Sequence, residues 1–167
     1  MSHTISELNN LNEPAFVEIL GPIFENTPQI ARQVWFDKPF KTNSELFQRM
    51  AAIVKEFTAE EKLTLIRAHP DLGTKAKMAD ASVKEQASVG LDRLSREEFT
   101  RFVNLNQAYR NKFGFPFIIA VKDQTKSSIL SAFETRLQNS IDQETETAIT
   151  QIIRIAELRL TDLLEKE

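Results

Sequence analysis

The chain has 167 residues, 41% hydrophobic and 27% charged, with a formal net charge of −3 and no basic block, which sets nucleic acid aside as a partner. Cysteine is absent and histidine occurs twice, which excludes disulfides, thiol nucleophiles and His-rich metal clusters, leaves carboxylate sites open, and fits a reducing compartment. With no signal-peptide pattern, no apolar stretch of membrane-spanning length and a last tripeptide that is no peroxisomal signal, the chain reads as one cytoplasmic domain without membrane contact.

Four glycines, six prolines and little β-branched alternation predict an all-α fold, a bundle of helices joined by short loops. Residues 5–11 read as a short amphipathic helix or turn. Pro14 suits the first turn of a helix carrying Phe16, Val17, Ile19 and Leu20, which Gly21-Pro22 interrupts. Pro28 opens a helix over 29–36, and Pro39 closes that region. Ser44 is the expected N-cap of a helix with Leu46, Phe47, Met50, Ile53, Val54 and Phe57 on its apolar face.

Thr58-Ala59-Glu60-Glu61 has capping-box spacing, in which hydroxyl and carboxylate each bond the other residue's backbone N–H. The helix it opens should stop near His69, because Pro70 disfavours helical backbone before it, and Gly73 permits a sharp turn. Residues 74–81 are polar and read as a loop or a mobile flap. Ser82-Val83-Lys84-Glu85 repeats the capping-box pattern and predicts a helix to about Val89. Ser95-Arg96-Glu97-Glu98 repeats it again and predicts a helix to about Lys112, with Phe99, Phe102, Val103, Leu105 and Tyr109 near one face. Residues 113–121 are the most apolar run, and Pro116 forbids a regular helix there, so a buried, partly extended segment is expected. Helices over 127–138 and 144–164 follow, the last with Ile149, Ile152, Ile153, Ala156, Leu160 and Leu163 at helical spacing. There is no internal repeat and no linker.

Nucleophile elbows, phosphate loops and dinucleotide fingerprints are missing. Three features can carry chemistry. His69 stands at a helix C-terminus, where the dipole favours an imidazolium; it either caps the helix or handles a proton. Ser82, Glu85 and Gln86 lie at i, i+3 and i+4, so one helix face presents hydroxyl, carboxylate and amide, although a capping box explains Ser82 and Glu85 without function. In the run Phe113-Gly114-Phe115-Pro116-Phe117-Ile118-Ile119, broken hydrogen bonding leaves backbone amides for a polar heterocycle, or the run is only a buried connector.

Ala68-His69-Pro70-Asp71-Leu72-Gly73, the Ser-x-x-Glu-Gln at Ser82, and the Leu-Asn-x-x-Tyr-x-x-x-Phe-Gly-Phe-Pro-Phe-Ile-Ile-Ala-Val from Leu105 to Val121, in this order and spacing, resemble the OHCU decarboxylase family. OHCU is 2-oxo-4-hydroxy-4-carboxy-5-ureidoimidazoline. The likeness runs from Leu11-Asn12 to Ile155-Ala156-x-x-Arg159-Leu160, and the short C-terminus is that of bacterial members. It departs at Thr27-Pro28-Gln29, where the family often reads Ser-Pro-Trp; the one Trp here is Trp35. The resemblance implies an all-helical homodimer that converts OHCU to S-allantoin in urate breakdown, with no cofactor and no metal. It implies that His69 and Glu85 are catalytic. It also implies that Pro70, Ser82, Val83, Lys84, Gln86, Phe117, Ile118, Ile119, Ala120, Val121 and Arg159 bind substrate.

In the mechanism this implies, departing CO2 leaves an electron pair that the adjacent imine carbon and ring nitrogens delocalise. His69 serves the hydroxyl and carboxylate region, Glu85 pairs with His69 or holds the ureido group, and the backbone of 117–121 grips the ring. Two other classes stay open on the residues alone: a non-catalytic helical interaction module, and a different cofactor-free lyase or hydrolase acting on a ureido compound.

Overall fold

The structure, a computed structural model, describes residues 2–74 and 78–167. Every regular element among them is a helix, and the single β-bridge joins His3 to Leu164. The all-α expectation holds. The chain divides into two compact units, one of residues up to Lys62 together with Ile153–Glu167, the other Leu63–Ile152.

The first unit holds α1 (Ile5–Asn9), α2 (Glu13–Leu20), a 3-10 turn (Gly21–Ile23), α3 (Gln29–Trp35) and α4 (Asn43–Lys55). Helix α3 packs on both α2 and α4. Leu8, Phe16, Leu20, Ile30, Val34, Leu46, Met50 and Val54 are wholly buried there, and truncating such a side chain costs about 2–5 kcal/mol. The expected cap of α4 is corrected: Thr42, not Ser44, receives the Glu45 N–H at 3.0 Å, while the Glu45 carboxylate accepts the Lys41 N–H. Ser44 therefore lies in the first turn. At the departure from the family pattern, the Thr27 hydroxyl donates to the Glu25 carbonyl, and the Trp35 indole donates to the Leu11 carbonyl. Arg159 donates to the carboxylate of Glu25 at 3.3 Å and to the Pro22 carbonyl at 3.1 Å.

Helices α5 (Ala59–Arg67) and α9 (Ile141–Leu163) each cross a unit boundary. The Thr58–Glu61 capping box that opens α5 forms as read, with bonds of 2.9 and 3.1 Å. The second unit adds α6 (Asp80–Ser88), α7 (Arg96–Phe113), a 3-10 turn (Val121–Asp123) and α8 (Lys126–Arg136). Helix α7 packs on α8, and α6 on the 3-10 turn. The Ser95–Glu98 capping box opens α7 as predicted. Its buried face is Phe102, Asn106, Tyr109 and Phe113, whereas Val103, read as apolar face, is 44% exposed. The Tyr109 ring meets Phe113, Phe115, Phe117 and Phe133. Gly114 ends α7 with φ of 76°, left-handed backbone that suits glycine. From Phe115 to Val121 every residue is buried, and residues 115–120 form no regular element. No helix among the described residues is long and apolar enough to cross a membrane.

Candidate active site

Three pieces of the second unit carry the predicted residues apart from Arg159, which belongs to the first unit. The first is the turn after α5. The ring of His69 folds back so that Nδ1 lies 2.9 Å from the Leu65 carbonyl, and the side chain is buried. A carbonyl only accepts, so Nδ1 carries the hydrogen, and Nε2 is the nitrogen that takes up or gives a proton. Capping and chemistry are therefore not rivals: one nitrogen satisfies a carbonyl at the helix end and thereby fixes the tautomer and ring orientation of the other.

The turn itself is held at three points. The Gln86 amide oxygen accepts the Gly73 N–H at 3.0 Å, and its nitrogen donates to the Asp71 carbonyl. Asn106 donates to the Leu72 carbonyl at 2.8 Å, and Arg110 grips the Asp71 carboxylate at 2.9 and 3.1 Å. Gly73 adopts φ of 66°, and a Cβ there would sit 2.8 Å from the Leu94 side chain. The left-handed backbone favours glycine, while the Leu94 methyl could shift aside.

The second piece is α6. It opens at Asp80 on a backbone cap at Ala79, with no side-chain capping bond. The capping-box reading of Ser82 and Glu85 is corrected: both lie inside the helix, and both are buried with Gln86. Val83 and Lys84, predicted to bind with them, are exposed. Helical geometry requires this, because i+1 and i+2 turn away from the face that i, i+3 and i+4 share. The reading of 74–81 as a flap touches residues outside the described ones; Asp80 and Ala81 already belong to α6.

The third piece is the apolar segment. Arg136 Nη1 donates to the Ile118 carbonyl at 2.7 Å, and the Ala120 N–H donates to Gln151 Oε1 at 2.9 Å. The Ala120 and Val121 carbonyls accept from Asp123 and Gln124. Among the described residues, the N–H groups of Ile118, Ile119 and Val121 and the carbonyl of Ile119 make no hydrogen bond. Backbone groups in buried segments usually pair with protein, water or a ligand, so these remain open to one.

Sequence reading missed the network beneath this segment. Glu144 is wholly buried and accepts from the Tyr109 hydroxyl at 2.5 Å, Arg136 Nε at 2.8 Å and Asn139 Nδ2 at 2.9 Å. Burial first, and then its bond to Glu144, hold the Tyr109 phenol far above its ordinary range. Only the tyrosine of the Leu-Asn-x-x-Tyr motif signalled any of this. No group of three or more His, Cys, Asp or Glu among the described residues is placed to hold a metal ion.

The arrangement offers a tautomer-fixed imidazole, a buried carboxylate and hydroxyl on one helix face, and a row of unbonded backbone amides. Residues 9–161 match the family model of OHCU decarboxylase. This chain belongs to the OHCU decarboxylase family. The 2-oxo-4-hydroxy-4-carboxy-5-ureidoimidazoline decarboxylase of Halalkalicoccus jeotgali is 42% identical over 96% of this chain and 91% of its own. That of Haloferax volcanii is 42% identical over 98% of each. A crystal structure of (S)-allantoin synthase superposes with a TM-score of 0.80 at 32% identity, over 97% of this chain and 54% of the other. The OHCU decarboxylase match thus contains all three pieces of the site, and Arg159 as well, in one uninterrupted stretch.

Proposed function

We propose that this chain decarboxylates OHCU to (S)-allantoin without a cofactor, as one domain, with the three pieces of the second unit forming the site. The C–C bond to the carboxylate breaks, CO2 leaves, and its electron pair moves into the ring toward the imine nitrogen. The carbon bearing the ureido group then takes a proton on one face while the hydroxyl carbon becomes a carbonyl. Starting from the carboxylate, one proton is consumed per turnover.

His69 Nε2 serves the hydroxyl and carboxylate region and handles that proton. The Glu85 carboxylate accepts the ureido N–H groups, and Ser82 bonds the ring. Gln86, held by the turn that carries His69, contributes a remaining amide hydrogen. The unbonded amides around Ile119 grip the ring's carbonyl and nitrogen, and Pro70 borders His69. For Arg159 the family resemblance alone carries the assignment. Positioned acid–base help of this kind is worth about 10²–10⁴-fold.

One observation carries the reading: Ser82, Glu85 and Gln86 are buried together on one face of α6, and Gln86 bonds the turn that carries His69. A homodimer in the cytoplasm rests on the family resemblance, and light scattering of the purified chain tests the dimer. The activity test follows freshly generated OHCU by circular dichroism. The protein should accelerate the appearance of the (S)-allantoin signal. An unchanged spontaneous rate, with a racemic product, would contradict the reading.

A further inference from the structure

The Arg136–Glu144 pair is buried at 10% and 0% side-chain exposure. Apolar residues of like volume often serve stability as well or better, so a buried pair needs another reason. Glu144 occupies Arg136 Nε, and the Arg136 guanidinium carbon lies 4.2 Å from the centre of the Phe117 ring, which stacks on Phe133. Nη2 is buried with no hydrogen-bond partner among the described residues. The guanidinium forgoes that bond while Nη1 stays on the Ile118 carbonyl.

A peptide unit is planar, and its C=O and N–H point in opposite directions. The Ile118 carbonyl and the Ile119 N–H belong to one such plane, so fixing the first aims the second. The next plane holds the Ile119 carbonyl and the Ala120 N–H, and Gln151 fixes the latter. Two side chains from two helices thus set the directions of both polar backbone groups of Ile119, which are themselves unbonded among the described residues.

We infer that Arg136 and Gln151 are positioning residues, which present the N–H and C=O of Ile119 as a donor–acceptor pair to a cyclic amide or urea. This rests on the reading that the apolar segment receives the substrate ring. Neither residue touches the reacting atoms, so both should act on binding and leave the proton transfer alone.

The test is made on the whole chain with OHCU turnover, allantoin binding and an NMR spectrum labelled at isoleucine. Arg136→Lys keeps a cation for Glu144 and loses the planar fork. It should raise KM for OHCU and Kd for allantoin about tenfold, the worth of one well-made hydrogen bond. The pH profile of kcat should not move, and the ligand-induced shift of the Ile119 amide should shrink. Gln151→Met removes the acceptor and should raise both constants severalfold, whereas Gln151→Glu keeps an acceptor and should restore them. Ile129→Ala empties core volume in α8 and should lower the melting temperature with KM intact.

Wild-type KM in Arg136→Lys overturns the inference, and so does an equal rise in KM for Ile129→Ala. If Arg136→Lys does not fold, the Gln151 pair decides, and identical KM for Met and Glu overturns it. A wild-type protein that neither turns over OHCU nor binds allantoin would instead sink the functional reading beneath it.

Discussion

The chain contains the same four-residue pattern at two places with opposite outcomes. Ser95-Arg96-Glu97-Glu98 caps α7: Ser95 Oγ accepts the Glu98 N–H at 3.1 Å, and Glu98 accepts the Ser95 N–H at 2.9 Å. The bond from the Ser95 backbone is the chief reason that the Glu98 carboxyl titrates below its ordinary range. Ser82-Val83-Lys84-Glu85 reads alike, yet its helix has already begun two residues earlier, and its serine and glutamate are buried. A capping pattern marks a helix start only where its serine stands at the N-cap; where the helix begins earlier, the same polar residues lie within it and can turn inward.

The largest effect that would break this contrast lies at His69. Asn keeps a donor for the Leu65 carbonyl but transfers no proton near neutral pH. His69→Asn should therefore melt close to wild type while turnover of OHCU falls by about two orders of magnitude or more. Normal turnover in a folded variant would reduce His69 to the cap that its Nδ1 already is.

Tyr109→Phe sharpens the contrast from the structural side. It leaves the ring cluster intact and takes one bond from Glu144, which should cost about 1.5–3 kcal/mol in thermal or urea melts. The raised phenol contributes stability that is present below about pH 10 and is lost as pH rises toward its folded-state value. The stability gap between wild type and variant should therefore shrink above that pH. Since the chain has one tyrosine, tyrosinate absorbance should appear together with alkaline unfolding rather than before it. The smallest effect belongs to Ser95→Ala, which should lose about 1 kcal/mol with turnover unchanged.

Helix positions were legible because their signals are local: Thr58–Glu61 and Ser95–Glu98 cap where they stand, and Pro116 and Gly114 mark the irregular segment. The expected N-caps at Ser44 and Ser82 are displaced by two and three residues: α4 is capped at Thr42 by its side chain, and α6 at Ala79 with no side-chain bond. The candidate site residues form a pattern of three motifs in the sequence. Their supports were not legible. Asn106 sits where the apolar stripe predicted Val103 because it bonds Leu72 across 34 positions. Arg136 and Gln151 reach the 117–121 segment from helices whose periodicity says nothing about backbone carbonyls or amides. Buried polar pairing is a property of three-dimensional neighbours, and a single sequence encodes it only through the fold.

The most direct test sets Glu85→Gln beside Glu98→Gln, the same change in the two copies of one pattern. Each should be measured for melting temperature and for the rate of stereospecific allantoin formation. Glu85→Gln should melt near wild type and lose about two orders of magnitude in turnover, while Glu98→Gln should lose some stability and keep its rate. Equal rates in the two variants, or an active Glu85→Gln protein with a lowered melting temperature, would make Glu85 a structural residue like Glu98 and contradict the account.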